Sequence, residues 1–323
     1  MNVKSLAVLT AGGDAPGMNA AVRAVVRTAL ALGLRAYGIR RAYEGLVQGD
    51  ICDLGARDVG GIIQRGGTFL RTARFKDFSK AEVQQEALRQ LKHKGIDAVV
   101  AIGGDGTMRG ALALHRLGVR VMGIPASIDN DVYGTDISIG VDTALNTIIE
   151  AIDKLRDTAS SHQRAFIVET MGRNCGHLAL MSGIISGAEM TLIPEQDVPP
   201  EEVAAAVREA YARGKTHAIV VVSEGARYPA IALKEKLNAM KLDVDLRVTV
   251  LGHVQRGGSP SAFDRLIAAR YGVAAVERLA KGESGVMVGL RGREIAATPL
   301  ADIASRQRRP DLEYYRMARM LAK

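Results

Sequence analysis

The chain has 323 residues, 47% apolar and 24% charged, the balance of an ordinary globular protein rather than a disordered one. Its net charge of +8 comes from basic residues scattered along the sequence, and aromatics are only 4%, which argues against a stacking platform for nucleic acid. Two cysteines, Cys52 and Cys175, are too few for a disulfide framework, and no apolar run nears the ~18 residues of a membrane span, so a cytoplasmic protein with no membrane partner is expected.

In chain order, strand-like apolar runs lie at Leu6–Thr10, Ala36–Ile39, Ala98–Ile102, Val119–Ile124, Ala165–Glu169, Met190–Ile193, Ala218–Val222, Arg247–Leu251 and Val286–Leu290. The first stops at Gly12-Gly13-Asp14, too soon for a signal peptide. Helical patterns fall between the runs, at Met18–Leu32, Lys80–Lys94, Val141–Thr158, Pro200–Arg213 and Pro260–Ala280. Strands alternating with helices predict α/β architecture with parallel-rich sheets covered by helices. A single core stops growing near ~250–300 residues, so this length predicts two lobes, with a boundary near residue 140. Arg outnumbers Lys 31 to 12, and the guanidinium fork suits phosphate pockets, because it meets phosphate oxygens two at a time.

Three loops carry candidate chemistry. Gly12-Gly13-Asp14, after a strand and before a helix, brings backbone close to a ligand and offers free N–H groups to a phosphate, although a bare strand-to-helix turn has the same pattern. It lacks the Gly-Lys-Ser/Thr of a P-loop and the Gly-x-Gly-x-x-Gly of a dinucleotide fold. Gly103-Gly104-Asp105-Gly106-Thr107 places a carboxylate at a strand end among glycines, suited to Mg²⁺ on nucleotide phosphates or, alternatively, to capping the next helix. Pro125-Ala-Ser-Ile-Asp-Asn-Asp131 sets two carboxylates two residues apart beside a hydroxyl, the groups that proton abstraction from a sugar hydroxyl needs; a polar turn is the plainer reading.

Anion-clamp candidates follow at strand ends: Arg164, Met171-Gly172-Arg173, Glu224, and Arg247 with His253-Val254-Gln255-Arg256. The other histidines, at 93, 115, 162, 177 and 217, have no metal-ligand spacing.

Assembled, these segments closely resemble the bacterial ATP-dependent 6-phosphofructokinases over essentially the whole chain. The resemblance runs from Leu9-Thr-Ala-Gly-Gly-Asp-Ala-Pro-Gly-Met-Asn19 through Gly66-Gly-Thr-Phe-Leu-Arg-Thr-Ala-Arg74, Gly103-Gly-Asp-Gly106 and Ile128-Asp-Asn-Asp131. It continues through Arg156-Asp-Thr-Ala-Ser-Ser-His162 and Met171-Gly-Arg173 to Gly252-His-Val-Gln-Arg-Gly-Gly-Ser-Pro260. It implies two three-layer αβα lobes with the active site in the cleft between them: residues 1–140 with 254–305 for ATP and Mg²⁺, and 141–253 with 306–323 for the sugar phosphate. It implies that ATP is held by Gly13, Arg74, Phe75, Gly104, Asp105, Gly106 and Thr107, with Asp105 on Mg²⁺. Asp129 would be the base for the 1-hydroxyl of fructose 6-phosphate, Asp131 and Ser127 would support it, and Arg173 would stabilise charge on the phosphoryl group. Ser127, Ile128, Met171, Gly172, Glu224, His253, Val254, Gln255 and Arg256 would bind the sugar phosphate. Arg164 and Arg247 would reach in from a neighbouring subunit of a homotetramer.

The resemblance also implies an allosteric pocket for ADP or phosphoenolpyruvate at Arg23, Arg27, Arg156, Gly187, Glu189, Arg213, Lys215 and His217. Ala56, Gly61 and Thr216 stand where the family has Arg, Asp and Lys in that pocket, with Arg57 adjacent. Pro125-Ala126-Ser127 replaces the usual Pro-Gly-Thr, and His177 replaces an Asp. Pyrophosphate-dependent relatives carry Lys at the position of Ala126 and Asp at that of Gly106, so ATP is the expected donor. The alternatives are a pyrophosphate-dependent enzyme and a catalytically silent nucleotide sensor. A sensor has no need of Asp129 and Asp131.

Overall fold

The structure is a computed structural model that describes residues 3–322. In chain order its elements are β1 (Ser5–Thr10), α1 (Met18–Ala31), β2 (Arg35–Ile39), α2 (Ala42–Gln48), β3 (Ile51–Asp53), α3 (Ala81–His93), β4 (Ala98–Gly103), α4 (Asp105–Arg116), β5 (Arg120–Pro125), α5 (Val141–His162) and β6 (Arg164–Thr170). There follow α6 (His177–Ser186), β7 (Met190–Leu192), α7 (Pro200–Ala212), β8 (Ala218–Ser223), α8 (Ala230–Ala239), β9 (Asp245–Val250), α9 (Ala262–Ala280), β10 (Val286–Arg291), β11 (Glu294–Pro299), α10 (Leu300–Ser305) and α11 (Leu312–Leu321). The chain forms two compact units, Met1–Thr143 with Arg256–Arg308 and Ala144–Gln255 with Arg309–Lys323.

The first unit is built on a seven-stranded sheet in the order β11-β10-β5-β4-β1-β2-β3. Its five central strands pair in parallel. Every residue of β1 and β4 is buried, which is why both read as unbroken apolar runs rather than alternating ones. The two edge strands, β3 and β11, are antiparallel to their neighbours, so the sheet is parallel-rich as expected. For β11 the cause is local, since Arg291 pairs with Glu294 across a two-residue turn at Gly292, and so short a connection permits only a hairpin.

From β1 the chain crosses to β2 on one side, and from β4 it crosses to β5 on the other. The sheet therefore has a topological switch point between β1 and β4, where the following loops diverge and leave a crevice at the carboxyl ends. Thr10 lies opposite Ile102, and Gly103 opposite Pro125, so the loops after β1, β4 and β5 leave the sheet at one level.

The second unit carries a four-stranded, all-parallel sheet in the order β7-β8-β6-β9. Its core is built from Ile167, Val220, Val222, Val203 and Leu233 among others. Among the described residues no helix is long and apolar enough to cross a membrane. α5 continues one turn beyond the expected Thr158, to His162.

Candidate active site

Within the first unit, the loops after β1, β4 and β5 enclose a cavity of about 440 Å³. The first loop passes Gly12 and Gly13 into α1. A Cβ on Gly13 would collide with the Arg256 guanidinium, whose Nη1 donates to the Asp14 carbonyl at 3.3 Å, so only glycine lets that cation approach the loop. At the start of α1, buried Asn19 holds the segment around Arg65 and Phe69. Its Oδ1 accepts from Phe69 N at 2.6 Å and its Nδ2 donates to the Arg65 carbonyl at 2.9 Å. Thr10 Oγ1 donates to the Arg71 carbonyl at 3.0 Å, which ties the segment leading to Arg74 and Phe75 to the end of β1.

The second loop turns from β4 straight into α4. Gly103 lies so close to the Ala11 carbonyl and the Thr107 side chain that no Cβ fits. The N-cap residue is Gly104, without a side-chain cap, so Asp105 does not serve as the helix cap. The first N–H groups of α4 and its positive dipole end are thereby left for an anion. Asp105 Oδ1 and Thr107 Oγ1 are buried without a hydrogen-bond partner. Burial pushes the Asp105 carboxyl up to about 6, with the nearby Asp131 carboxylate adding to the rise and Arg109 opposing it.

The third loop, after β5, holds Ser127, Asp129 and Asp131, all lining the same cavity. Between the two carboxylates Asn130 adopts a left-handed conformation, φ 54°, which Asn tolerates better than other non-glycine residues. Its buried side chain locks that conformation, with Oδ1 accepting from Ser138 N at 3.0 Å and Nδ2 donating to the Asp136 carbonyl at 3.2 Å. Ser127 Oγ donates to Asp131 Oδ1 at 2.9 Å. Ile128 is buried beneath the loop, and Ala126 lines the cavity.

The cavity thus brings together Gly13, Arg74, Phe75 and Gly104 to Thr107 with Ser127, Asp129, Asp131 and Arg256. Sequence reasoning missed Tyr43, at the start of α2. Its ring stacks on Phe78 at 4.3 Å, and its hydroxyl donates to the Thr107 carbonyl at 2.6 Å, bracing the first turn of α4. No local motif marks Tyr43, because both partners are distant in sequence.

The second unit holds another group of expected residues. At the carboxyl ends of β6 and β8, Ser223 Oγ donates to the Gly172 carbonyl at 2.5 Å, Glu224 N donates to the Thr170 carbonyl at 2.8 Å, and Gly225 packs on the Arg173 backbone. The Gln255 side chain is fully buried: its Oε1 accepts from Met171 N at 3.2 Å, so it positions that turn and leaves only its backbone to face a ligand. His253 and Val254 are exposed. Arg164 and Arg247 lie apart from this group. Both donate to Asp245 Oδ2, at 2.7 and 2.9 Å; Arg164 lies at the amino end of β6, roughly 20 Å of strand from Thr170, and Arg247 pairs opposite Phe166, roughly 13 Å from it.

Of the expected effector residues, Arg23 and Arg27 belong to the first unit and the other six to the second. Arg27 Nη2 donates to the Ala56 carbonyl at 3.0 Å. Lys215 pairs with Glu189 at 2.8 Å, Arg156 donates to the Ser186 carbonyl, and Arg213 Nη2 donates to the Ala322 carbonyl at 3.3 Å. Burial lowers the His217 pKa, opposed by Glu189 and assisted by Arg156 and Lys215.

A family model described as Phosphofructokinase matches residues 5–279. The ATP-dependent 6-phosphofructokinase 1 of Thermus thermophilus is 52% identical over 323 residues, covering 99% of this chain and all of that protein. The ATP-dependent 6-phosphofructokinase of Streptococcus suis is 51% identical over 302 residues, 94% of this chain and 90% of that one. Among solved structures, the phosphofructokinase of Saccharomyces cerevisiae superposes with a TM-score of 0.89 at 38% identity over 94% of this chain. This chain spans only 45% of the yeast polypeptide. With a family match over most of its length and relatives about half identical from end to end, the chain belongs to the phosphofructokinase family.

Proposed function

We propose that the chain is an ATP-dependent 6-phosphofructokinase, a glycolytic transferase that moves the γ-phosphoryl group of ATP to the 1-hydroxyl of D-fructose 6-phosphate, giving fructose 1,6-bisphosphate and ADP. The observation that carries this reading is the cavity where Asp105, Asp129 and Asp131 meet the uncapped N-terminus of α4. Such a site gathers a nucleotide's phosphates, a cation and a proton acceptor in one place. The relatives named above are ATP-dependent 6-phosphofructokinases, which supports the choice of donor and acceptor.

The first unit is the nucleotide lobe in this reading, and the second is the sugar-phosphate lobe. Gly13, Arg74, Phe75 and the Gly104–Thr107 turn hold ATP, the α4 N–H groups cradling its phosphates. The residues fit Mg²⁺: Asp105 presents a buried, unpaired carboxylate oxygen beside the Asp131 carboxylate, and burial raises its pKa. Among the described residues no three His, Cys, Asp or Glu side chains form a complete metal cage. Mg²⁺ needs only one or two carboxylates besides phosphate oxygens and water. Bound there, it neutralises charge on the nucleotide phosphates. Asp129 takes the proton from the sugar 1-hydroxyl, Asp131 is held beside it through Ser127, and Arg173 balances charge on the transferred group. Ser127, Ile128, Met171, Gly172, Glu224, His253, Val254, Gln255 and Arg256 serve the sugar phosphate. Little covalent help is required, because phosphoryl transfer depends mainly on positioning and charge neutralisation.

Arg164 and Arg247 act on the substrate of a neighbouring subunit in a homotetramer. Their positions, about 20 Å and 13 Å of strand from the end of β6 that leads into Met171–Arg173, support a role away from their own unit's turn. Arg164→Ala and Arg247→Ala are each expected to raise the KM for fructose 6-phosphate at least about tenfold, the worth of a lost charge-assisted contact, and to leave that for ATP within about twofold. Steady-state kinetics check this, and hybrids of the Arg164→Ala and Asp129→Ser proteins should regain activity. Hybrids that stay inactive despite verified subunit exchange would rule out the shared site.

In this reading Arg23, Arg27, Arg156, Gly187, Glu189, Arg213, Lys215 and His217 serve effector pockets between subunits, for a phosphorylated anion such as ADP or phosphoenolpyruvate. With Ala56 and Thr216 in place of two basic residues, these pockets bind more weakly than is usual in the family, unless Arg57 compensates.

A further inference from the structure

The loop that carries Asp129 and Asp131 is strapped by a segment far away in sequence, the stretch after α10. Arg308 makes three bonds to it. Its backbone N–H donates to the Asp131 carbonyl at 3.0 Å. Its Nη1 donates to the Asp136 carbonyl at 2.5 Å and reaches the Asn130 carbonyl at 3.5 Å. Two residues earlier, Arg306 Nη1 donates to Tyr133 Oη at 2.8 Å, with the guanidinium 5.3 Å from that ring's centre.

The two ends of this brace are not equivalent. Asp136 is fixed to the β10–β11 hairpin, since its N–H donates to the Leu290 carbonyl at 2.7 Å and its Oδ2 accepts from Gly292 N at 2.6 Å. Asn130 and Asp131 lie at the other end, next to the proposed base. One guanidinium therefore spans from an anchored point to the residue whose left-handed backbone sets the directions of both Asp129 and Asp131. A left-handed non-glycine residue persists only where its surroundings hold it there, and the Asn130 side chain and Arg308 both bond the Asp136 carbonyl.

We propose that Arg308 is a positioning residue for phosphoryl transfer: it touches neither substrate nor nucleotide, and it holds the Asp129–Asp131 loop in the geometry that proton abstraction requires. The inference rests on the reading of Asp129 as the base. A displacement near 1 Å at such a site costs up to about 10²-fold in rate, so the guanidinium's loss is read mainly in kcat.

The test compares steady-state kinetics of wild type, Arg308→Ala, Arg308→Lys, Asp129→Ser and the Asp129→Ser/Arg308→Ala double variant, with ATP, Mg²⁺ and fructose 6-phosphate. Arg308→Ala is expected to lower kcat at least about tenfold with the KM for ATP within about twofold, and Arg308→Lys to fall between it and wild type. In the Asp129→Ser background the same change should cost less than about twofold, because no base remains to be placed. If Arg308→Ala keeps kcat within twofold of wild type while Asp129→Ser loses about 10² or more, the positioning role falls and the base assignment stands. If Asp129→Ser itself keeps its kcat, the base assignment falls and this inference with it. An equal loss in both backgrounds makes Arg308 independent of the base and also overturns the proposal. Should Arg308→Ala fail to fold, Arg308→Lys decides: a kcat loss of about threefold or more with unchanged KM for ATP supports the role, and wild-type kcat overturns it.

Discussion

Asp129→Ser is expected to lower kcat by at least about 10², with the KM values for ATP and fructose 6-phosphate changing only a few-fold. Serine leaves a small polar group in place of the carboxylate, so the loop locked by Asn130 and Ser138 is kept while the proton acceptor is removed. The neighbouring Asp131 is a poor substitute, because Ser127 Oγ already bonds its Oδ1 at 2.9 Å. An effect confined to kcat is the signature of a group that acts in the transition state rather than in binding. A variant with more than about half the wild-type kcat would remove Asp129 from the base role.

Asp264→Ala is expected to destabilise the protein by on the order of 3 kcal/mol without any contact with the cavity. Asp264 sits fully buried on α9, and its carboxylate accepts from Gly140 N and Thr143 N, both at 2.8 Å, and from Thr143 Oγ1 at 2.5 Å. It thereby closes the first turn of α5 from a distant part of the chain. Alanine would remove the acceptor shared by three buried donors, a loss of about 1–3 kcal/mol for each that finds no other partner. Burial raises the Asp264 pKa, partly offset by those bonds. For a carboxyl raised on folding, the stabilisation is full below its unfolded pKa of about 3.9 and declines as pH rises through the higher folded value. The gap between wild type and Asp264→Ala should therefore be wider near pH 4 than near pH 8. Chemical denaturation at the two values checks it, and a gap that is negligible at both would show that Asp264 does not hold the start of α5.

The parallel core was legible because β1 and β4 are buried on both faces and read as continuous apolar runs between glycine-rich turns. The Gly103–Thr107 and Ile128–Asp131 loops were legible for a related reason: each is a local strand-to-loop pattern whose position depends only on the strand before it. What stayed hidden depends on partners far away in sequence. The Asp264 carboxylate closes a helix that begins more than a hundred residues earlier, the Tyr43 hydroxyl braces Thr107, and Arg308 straps the loop around Asn130. Nothing in the neighbouring residues marks any of the three. The antiparallel edge β3 was hidden because three residues are too few for a pattern to show. Hidden in the same way is the Gln255 side chain, which lies within the His253–Arg256 motif and is buried on the backbone at Met171, shaping that turn.

The phosphoryl donor and acceptor are decided by a coupled assay of fructose 1,6-bisphosphate formation from fructose 6-phosphate with Mg²⁺, once with ATP and once with pyrophosphate. Turnover is expected with ATP and none above background with pyrophosphate, in keeping with Gly106 and Ala126 lining the cavity. Faster turnover with pyrophosphate, or no turnover with ATP from a protein that binds it, would overturn the assignment of the chain as an ATP-dependent 6-phosphofructokinase.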